Sequence, residues 1–443
     1  MMIMRGINLS KYFSIPFKDI FKSLGPGLTT GAADEDPATI GTYSQAGAQF
    51  GLGMLWLALF QYPMIVIVQE MCARIGLVTG SGLGAVLKKK YSKKIVLMIA
   101  SLILIANTIN IGADIGAMAA SVRVLIPQMP FVLATLSFTA FIVLSEMLIP
   151  YRTYARILNY LAISLLAYII TAIIVGGNLE HILAATIIPH FEFTSDFAMM
   201  FVAIFGATLT PYAFFWHASQ EAEEDIVKHK IKEVSGIGNS PQISKKEMML
   251  MRSDVVIGMG LSQLVMWSII ITTAITLNAN NITNIQTADQ AARALQPLVN
   301  VFPGSGTISK TIFALGIIGT GLLAIPVMAG ASGYALSDVF GWSEGLNKSF
   351  LQAKKYYLIK TASTIIGLLI NFTNIDPIRA LVYSSVINGI VAAPILVAVI
   401  NVANDKKILR DQVNSKLSNV IGWIVVVIMV ISVVILFLTW KQQ

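Results

Sequence analysis

The stretch Gly31-Ala32-Ala33-Asp34-Glu35-Asp36-Pro37 sits in the middle of an apolar run over residues 26–47. That run is about as long as a membrane-crossing helix requires, roughly 20 residues. Yet three acids stand at its centre, where a single Asp costs roughly 2.5–3.5 kcal/mol on insertion scales. Pro37 then removes a backbone donor and opens the helix. Unwound backbone survives at membrane depth only where it lines a cavity or is buried in protein. The stretch therefore reads as a broken membrane helix at a polar site, and carboxylates placed there are functional candidates by default.

The rest of the chain supports a membrane setting. Of its 443 residues, 56% are apolar and 12% charged, against about 25% charged in a soluble domain. An ordinary soluble enzyme is excluded. Apolar runs predict about eleven spans: 26–47, 53–74, 95–122, 131–149, 156–176, 196–219, 254–277, 308–339, 356–371, 380–403 and 419–440. The segment 1–25 is basic and lacks the apolar stretch of a signal peptide, so it is expected in the cytoplasm. One cysteine, Cys72, excludes an intrachain disulfide and a cysteine-rich metal cluster.

Charge placement tests the count. With the N-terminus inside and spans alternating, the inner segments and the helix ends bordering them hold 25 of the 31 Lys and Arg. They include Lys88 to Lys90, Lys93, Lys94, Arg152, Arg156, Lys228, Lys230, Lys232, Lys348 and Lys406. Arg293 and Arg379 fall outside. This asymmetry follows the positive-inside rule, and a missed span would scramble it. The net charge of +8 is thus a topological signal and implies no nucleic-acid partner.

A second break, Thr210-Pro211, falls in the sixth span. One break in the first span and one in the sixth divide the chain into two five-span repeats, 26–176 and 196–403, with an extra helix at 419–440. An odd number of spans per repeat inverts the second relative to the first. Paired broken helices in inverted repeats place a substrate site near the midplane. A lone proline is more often a simple kink, so it is the pairing that gives Pro211 its weight.

Gly25-Pro26-Gly27, then Asp36-Pro37, then Ser44-Gln45-Ala46-Gly47-Ala48-Gln49-Phe50-Gly51, then Ala73-Arg74-Ile75-Gly76-Leu77-Val78-Thr79-Gly80 form an ordered set. The set resembles the NRAMP family of divalent metal transporters over most of the chain. The resemblance implies an all-α polytopic fold like that of the bacterial leucine transporter. It places the family's metal-binding acid at Asp36 and its amide ligand at Thr39. The Ala33 and Ala207 carbonyls complete the set, and Thr210 replaces the family's methionine. Tyr212 takes the place of the family's histidine, and Asn110 and Ala113 replace its acidic proton-route residues, with Asp114 adjacent. These departures, with Phe214-Phe215-Trp216 and Glu221-Ala222-Glu223-Glu224, look like the NRAMP-related magnesium transporters, in which the methionine and the proton relay are absent.

The chemistry points the same way. A thioether favours softer transition metals. With Thr210 in its place the expected ligands are all oxygen, which suits Mg²⁺ or Mn²⁺. Mg²⁺ is commonly held by one or two carboxylates plus several waters, and Ala33, Ala38, Ala207 and Thr210 are small enough to leave room for them. Asp34 and Glu35, preceding Asp36 on the helix, are expected in the access funnel or as outer support rather than as ligands. Asn388 has two readings, contact with the ion or its water and a helix–helix hydrogen bond. His217, alone among four histidines within a span, reads as packing, with a proton role alongside Asp114 as the alternative. Glu70 and Arg74 read as an i,i+4 pair. The acids at 221–225 read as an ion-attracting mouth or a solvated helix end.

The function expected is secondary import of Mg²⁺ and Mn²⁺ by alternating access, with weak or no proton coupling, in the inner (plasma) membrane. The partners expected are the divalent ion as substrate and the lipid bilayer, with no cofactor and no obligate protein partner. No phosphate-binding glycine loop or zinc-ligand spacing is present in the sequence. The alternatives are a proton-coupled Mn²⁺ or Fe²⁺ importer and, in another class, a membrane-embedded hydrolase using the acids. An amino-acid carrier is disfavoured, because the acids would repel a substrate carboxylate.

Overall fold

Prolines fix the helix starts that matter most. The computed structural model describes residues 25–149, 166–231, 241–299, 305–346, 348–373 and 375–440. The expected segment 1–25 (Gly25 apart), Arg152, Arg156, residues 156–165 of the fifth expected span and Lys232 lie outside the described residues. In chain order the helices are α1 (Pro26–Asp34), α2 (Pro37–Phe50), α3 (Trp56–Thr79), α4 (Leu83–Leu87), α5 (Lys93–Leu125) and α6 (Phe131–Leu148). Next come α7 (Leu166–Val175), α8 (Leu179–Ile187), α9 (Ser195–Thr208), α10 (Pro211–Val227), α11 (Lys245–Thr276) and α12 (Ala288–Ala292). The last are α13 (Ser305–Phe340), α14 (Lys354–Ile370), α15 (Pro377–Ala403), α16 (Lys406–Leu409) and α17 (Lys416–Trp440).

Both expected breaks are present. The first run divides into α1 and α2 around Glu35 and Asp36, and the sixth into α9 and α10 around Leu209 and Thr210. In each case the second half begins at proline, whose fixed φ suits the first helical position and whose missing N–H costs nothing there. With 9 residues, α1 is about 14 Å long at 1.5 Å per residue, less than half the ~30 Å hydrocarbon core.

Eight helical stretches among the described residues are long and apolar enough to cross a membrane, counting Ser195–Val227 as one. The first and ninth expected spans appear as shorter helices, α1 with α2 and the 17-residue α14; the described part of the fifth is helical over Leu166–Val175. The long run expected at 308–339 is one helix of 36 residues despite Pro326.

The half-helices occupy the interior, and glycines let them approach their neighbours. A Cβ on Gly31 of α1 would lie 2.6 Å from the Gly258 oxygen of α11. A Cβ on Gly206 of α9 would lie 1.9 Å from the Ser385 oxygen of α15. Small residues at helix crossings are the usual means of close packing in lipid, where apolar burial alone drives little association. Outward-facing Leu133, Leu136, Phe141 and Leu144 of α6, and Val420, Val427, Val430 and Val434 of α17, present an apolar surface suited to acyl chains.

The N-terminus of α1 is fastened to α11. Gly25, Gly27 and Leu28 donate their N–H groups to the Asp254 carboxylate at 3.1, 2.7 and 3.1 Å. The first N–H groups of any helix lack intrahelical partners, so one carboxylate satisfies three of them.

Candidate metal centre

Asp36 is the N-cap of α2. Its Oδ1 accepts the Thr39 N–H at 2.7 Å, which fixes the carboxylate at the start of the half-helix. Its Oδ2 accepts from Asn110 Nδ2 of α5 at 2.8 Å and from the Tyr212 hydroxyl of α10 at 3.4 Å. Asp36 is 1% exposed. A carboxylate so buried needs such donors or a cation, because an unpaired charge in the interior is strongly disfavoured.

The two breaks meet around it. Thr39 Oγ1 donates to the Ala207 carbonyl at 3.4 Å, and the Tyr212 hydroxyl donates to the Ala33 carbonyl at 3.0 Å. Both carbonyls belong to the last turn of a half-helix, α9 and α1 respectively. There the intrahelical N–H donors run out, leaving carbonyl oxygens free to accept, and the helix dipole favours a cation. Asp36, Thr39, Ala33, Ala207 and Tyr212, dispersed in sequence, are thus joined by hydrogen bonds.

Thr210 and Asp34 form a second pair. The Thr210 hydroxyl donates to Asp34 Oδ1 at 2.6 Å, while Asp34 Oδ2 is buried with no hydrogen-bond partner. Asp34 therefore faces the second break rather than a funnel. Glu35 points the other way: Ser262 of α11 donates to its Oε1 at 2.7 Å, and its Oε2 is buried and unpartnered. Asp114 comes close through the backbone, its Oδ1 accepting the Ala38 N–H at 3.1 Å and its Oδ2 left without a partner.

Asn388 is buried on α15, and its Oδ1 has no hydrogen-bond partner. His217 lies farther along α10, with its Nδ1 3.0 Å from Gln69 Oε1 and its Nε2 3.9 Å from Glu221. It is buried, one helix turn and more beyond the break. The expected Glu70–Arg74 pair is present at 3.1 Å, and Arg252 joins it at 2.9 Å from Glu70. The acids at 221–225 are not a solvated helix end, since Glu221, Glu223 and Asp225 are all buried. Neighbouring helices and the 341–346 segment cover that face, which local sequence does not reveal.

Two contributors are absent from the sequence reading. Ser262 holds Glu35, although nothing in an apolar helix marks one serine among several. Met328 of α13 brings its sulfur 2.8 Å from Asn110 Nδ2, the same amide that holds Asp36. A thioether therefore lies one residue removed from the carboxylate, although the second break itself carries Thr210 and no sulfur. Among the described residues no group of three or more His, Cys, Asp or Glu is arranged as a metal cage. One or two carboxylates with carbonyls and hydroxyls are what the breaks offer.

Comparison with known proteins agrees with this architecture. Residues 27–439 match the Nramp family, described as natural resistance-associated macrophage protein-like. A manganese transporter from Eremococcus coleocola, solved with an aromatic bis-isothiourea substituted compound, superposes with a TM-score of 0.71 at 16% identity. That match covers 94% of this chain and 87% of the transporter. MhsT in complex with L-phenylalanine gives 0.59 at 12% identity, covering 94% of this chain and 98% of that one. Mhp1, a nucleobase-cation-symport-1 family transporter, gives 0.54 at 13% identity, covering 95% and 93%. Such identities speak for the fold, which is the leucine-transporter-like one that the resemblance implies. With its apolar helices, its two interrupted spans and a family match over nearly its whole length, the chain is a multi-pass membrane protein belonging to the Nramp family of divalent metal transporters.

Proposed function

We propose that this protein imports Mg²⁺ and Mn²⁺ by alternating access, with little or no proton coupling. The observation that carries the reading is the linkage of Asp36 to both breaks, through Thr39 to the Ala207 carbonyl and through Tyr212 to the Ala33 carbonyl. In this reading the ion displaces the hydrogen bonds that now tie these oxygens together. Asp36 is the charged ligand, and Thr39, Thr210 and the two carbonyls add neutral oxygens. Waters complete the shell, as Mg²⁺ favours. The repeats 26–176 and 196–403 move relative to one another around the site, with the N-terminus in the cytoplasm of the cell and the chain in its plasma membrane.

Energetics favour entry without a proton. The membrane potential supplies about 2.3 kcal/mol per charge per 100 mV, and a divalent ion gains about twice that. Tyr212, Asn110 and Ala113 offer no ordinary titrating carboxylate or imidazole at the relay positions.

Two contacts favour a second reading, proton-coupled Mn²⁺ or Fe²⁺ import. Asp114 presents an unpartnered carboxylate oxygen beside the break, and the Met328 sulfur lies against Asn110. Uptake into proteoliposomes separates the two. Mg²⁺ entry without internal acidification, abolished by Asp36→Ala, is the expected result. Mn²⁺ entry with acidification and no Mg²⁺ uptake would replace the first reading with the second. No uptake of any divalent cation would overturn both.

A further inference from the structure

A second group of buried acids lies well away from the breaks. Asp338 near the end of α13 and Glu344 in the following segment are 3% and 2% exposed. Their carboxyl groups face each other within hydrogen-bonding reach. Among the described residues, none of their four oxygens has a hydrogen-bond donor in normal geometry, although the Gly84 and Ala85 amides lie close enough to act on Asp338. Ser219 of α10, 0% exposed, adds a hydroxyl that is likewise unpartnered.

The Asp338 and Ser219 oxygens converge over Gly82. A Cβ at Gly82 would lie 2.7 Å from Asp338 Oδ2 and 3.0 Å from Ser219 Oγ, and one at Gly84 would lie 2.9 Å from the same Oδ2. The two glycines form a cradle that any side chain would fill. Nearby donors are directed elsewhere. Lys88 donates to the Asp338 main-chain oxygen at 2.9 Å, and Lys348 to Ser343 Oγ at 3.1 Å. Glu223 adjoins the group, with its Oε1 held by Tyr334 at 3.1 Å and the Leu346 N–H at 3.0 Å.

Two facing carboxylates in the interior cannot both carry an uncompensated charge. Burial first, and then Asp338 and Glu223, push the Glu344 carboxyl well above its usual range. The arrangement calls for a cation or a shared proton. The ligand atoms are all hard oxygens, and two carboxylates with a hydroxyl are the kind of set that holds Mg²⁺ together with water or backbone oxygens.

We infer that Asp338, Glu344 and Ser219 form a second, non-transported site for a hard divalent cation of the Mg²⁺ class, joining α4, α10 and α13. The site belongs to the basic side of the bundle, near Lys88 and Lys348. Ser219 is nine residues along α10 from Thr210, so about 14 Å of helix separates the two centres at 1.5 Å per residue. Because α10 begins at the second break, an ion there would fasten the outer end of a helix whose inner end faces the transported ion. Occupancy would then oppose movement of α10, and rising Mg²⁺ on that side would slow transport.

The test uses the full chain in detergent and Mg²⁺ alone as the probe, in an Asp36→Ala background that silences the breaks. Calorimetric titration should retain about one Mg²⁺ per chain, with a thermal midpoint that rises with Mg²⁺. Adding Asp338→Asn with Glu344→Gln should abolish both signals. Should that variant fail to fold, Ser219→Ala or Glu344→Gln alone should weaken binding at least tenfold. Complete loss of Mg²⁺ binding in Asp36→Ala overturns the inference, as does unchanged binding after the acids are removed. A shared proton in place of a metal would show as a midpoint that rises on acidification but ignores Mg²⁺, and it too overturns the inference. Failure of transport with this binding intact would bear on the breaks alone.

Discussion

The two helix breaks are built alike and equipped differently. Each is a two-residue gap closed by a proline at the first position of the next half-helix. The first carries Asp34, Glu35 and Asp36; the second, Leu209 and Thr210, carries no charge. At the first break the capping residue serves its own helix, Asp36 accepting the Thr39 N–H. At the second, Thr210 makes no capping bond and gives its hydroxyl to Asp34 across the gap. The first break therefore supplies the charge, and the second supplies neutral oxygen and orients Asp34. A site divided this way is complete only when both halves are in register, which suits a carrier whose halves move.

Substitution at the charged break should have the largest effect. Asp36→Asn keeps the cap geometry but removes the charge, and uptake of every divalent ion should fall to background in a proteoliposome assay. Retained Mg²⁺ uptake in that variant would break the assignment of charge to the first break. Asn110→Ala takes away a donor that holds Asp36 at 2.8 Å. Loss of such an outer support usually costs about 10–100-fold in metal affinity, measurable by calorimetry with Mg²⁺.

The neutral break should respond in selectivity before rate. Thr210→Met places a thioether where the hydroxyl now faces Asp34 and should favour Cd²⁺ and Mn²⁺ over Mg²⁺. Competition uptake reads this as a shift in ion ranking, and an unchanged ranking would mean that Thr210 acts through Asp34 alone. At the crossing behind the same break, Gly206→Ala would press a Cβ onto the Ser385 oxygen 1.9 Å away. Overpacking of this kind typically costs about 1–3 kcal/mol, which should appear as a lower thermal midpoint.

The smallest effect is expected outside both breaks. Asp289 of α12 is 2.6 Å from Lys310 and 3.3 Å from Arg293. The Lys310 hydrogen bond, followed by Arg293, holds its carboxyl below the usual range despite partial burial. A carboxyl lowered in this way contributes stability above its unfolded pKa, lost as pH falls through the folded value. The pair is solvent-screened, so Asp289→Asn should cost under about 1 kcal/mol and leave transport unchanged. A transport defect there would show that the comparison of the breaks omits an outer control point.

The sequence by itself determined the membrane setting and the two breaks. Each rests on chain-local physics: apolar length, the cost of an acid at depth, and the helix-starting geometry of proline. It did not determine which way neighbouring acids face. Asp34, Glu35 and Asp36 are consecutive, yet they meet Thr210 of the second break, Ser262 of α11 and Asn110 of α5. Nor could local pattern distinguish a solvated from a covered acidic helix end at 221–225, bring the Met328 sulfur against Asn110, or gather Asp338 and Ser219 over Gly82. Those outcomes depend on where distant helices cross. The crossings are fixed by close approaches such as Gly31 on Gly258 and Gly206 on Ser385, which become contacts only when both partners are already in place.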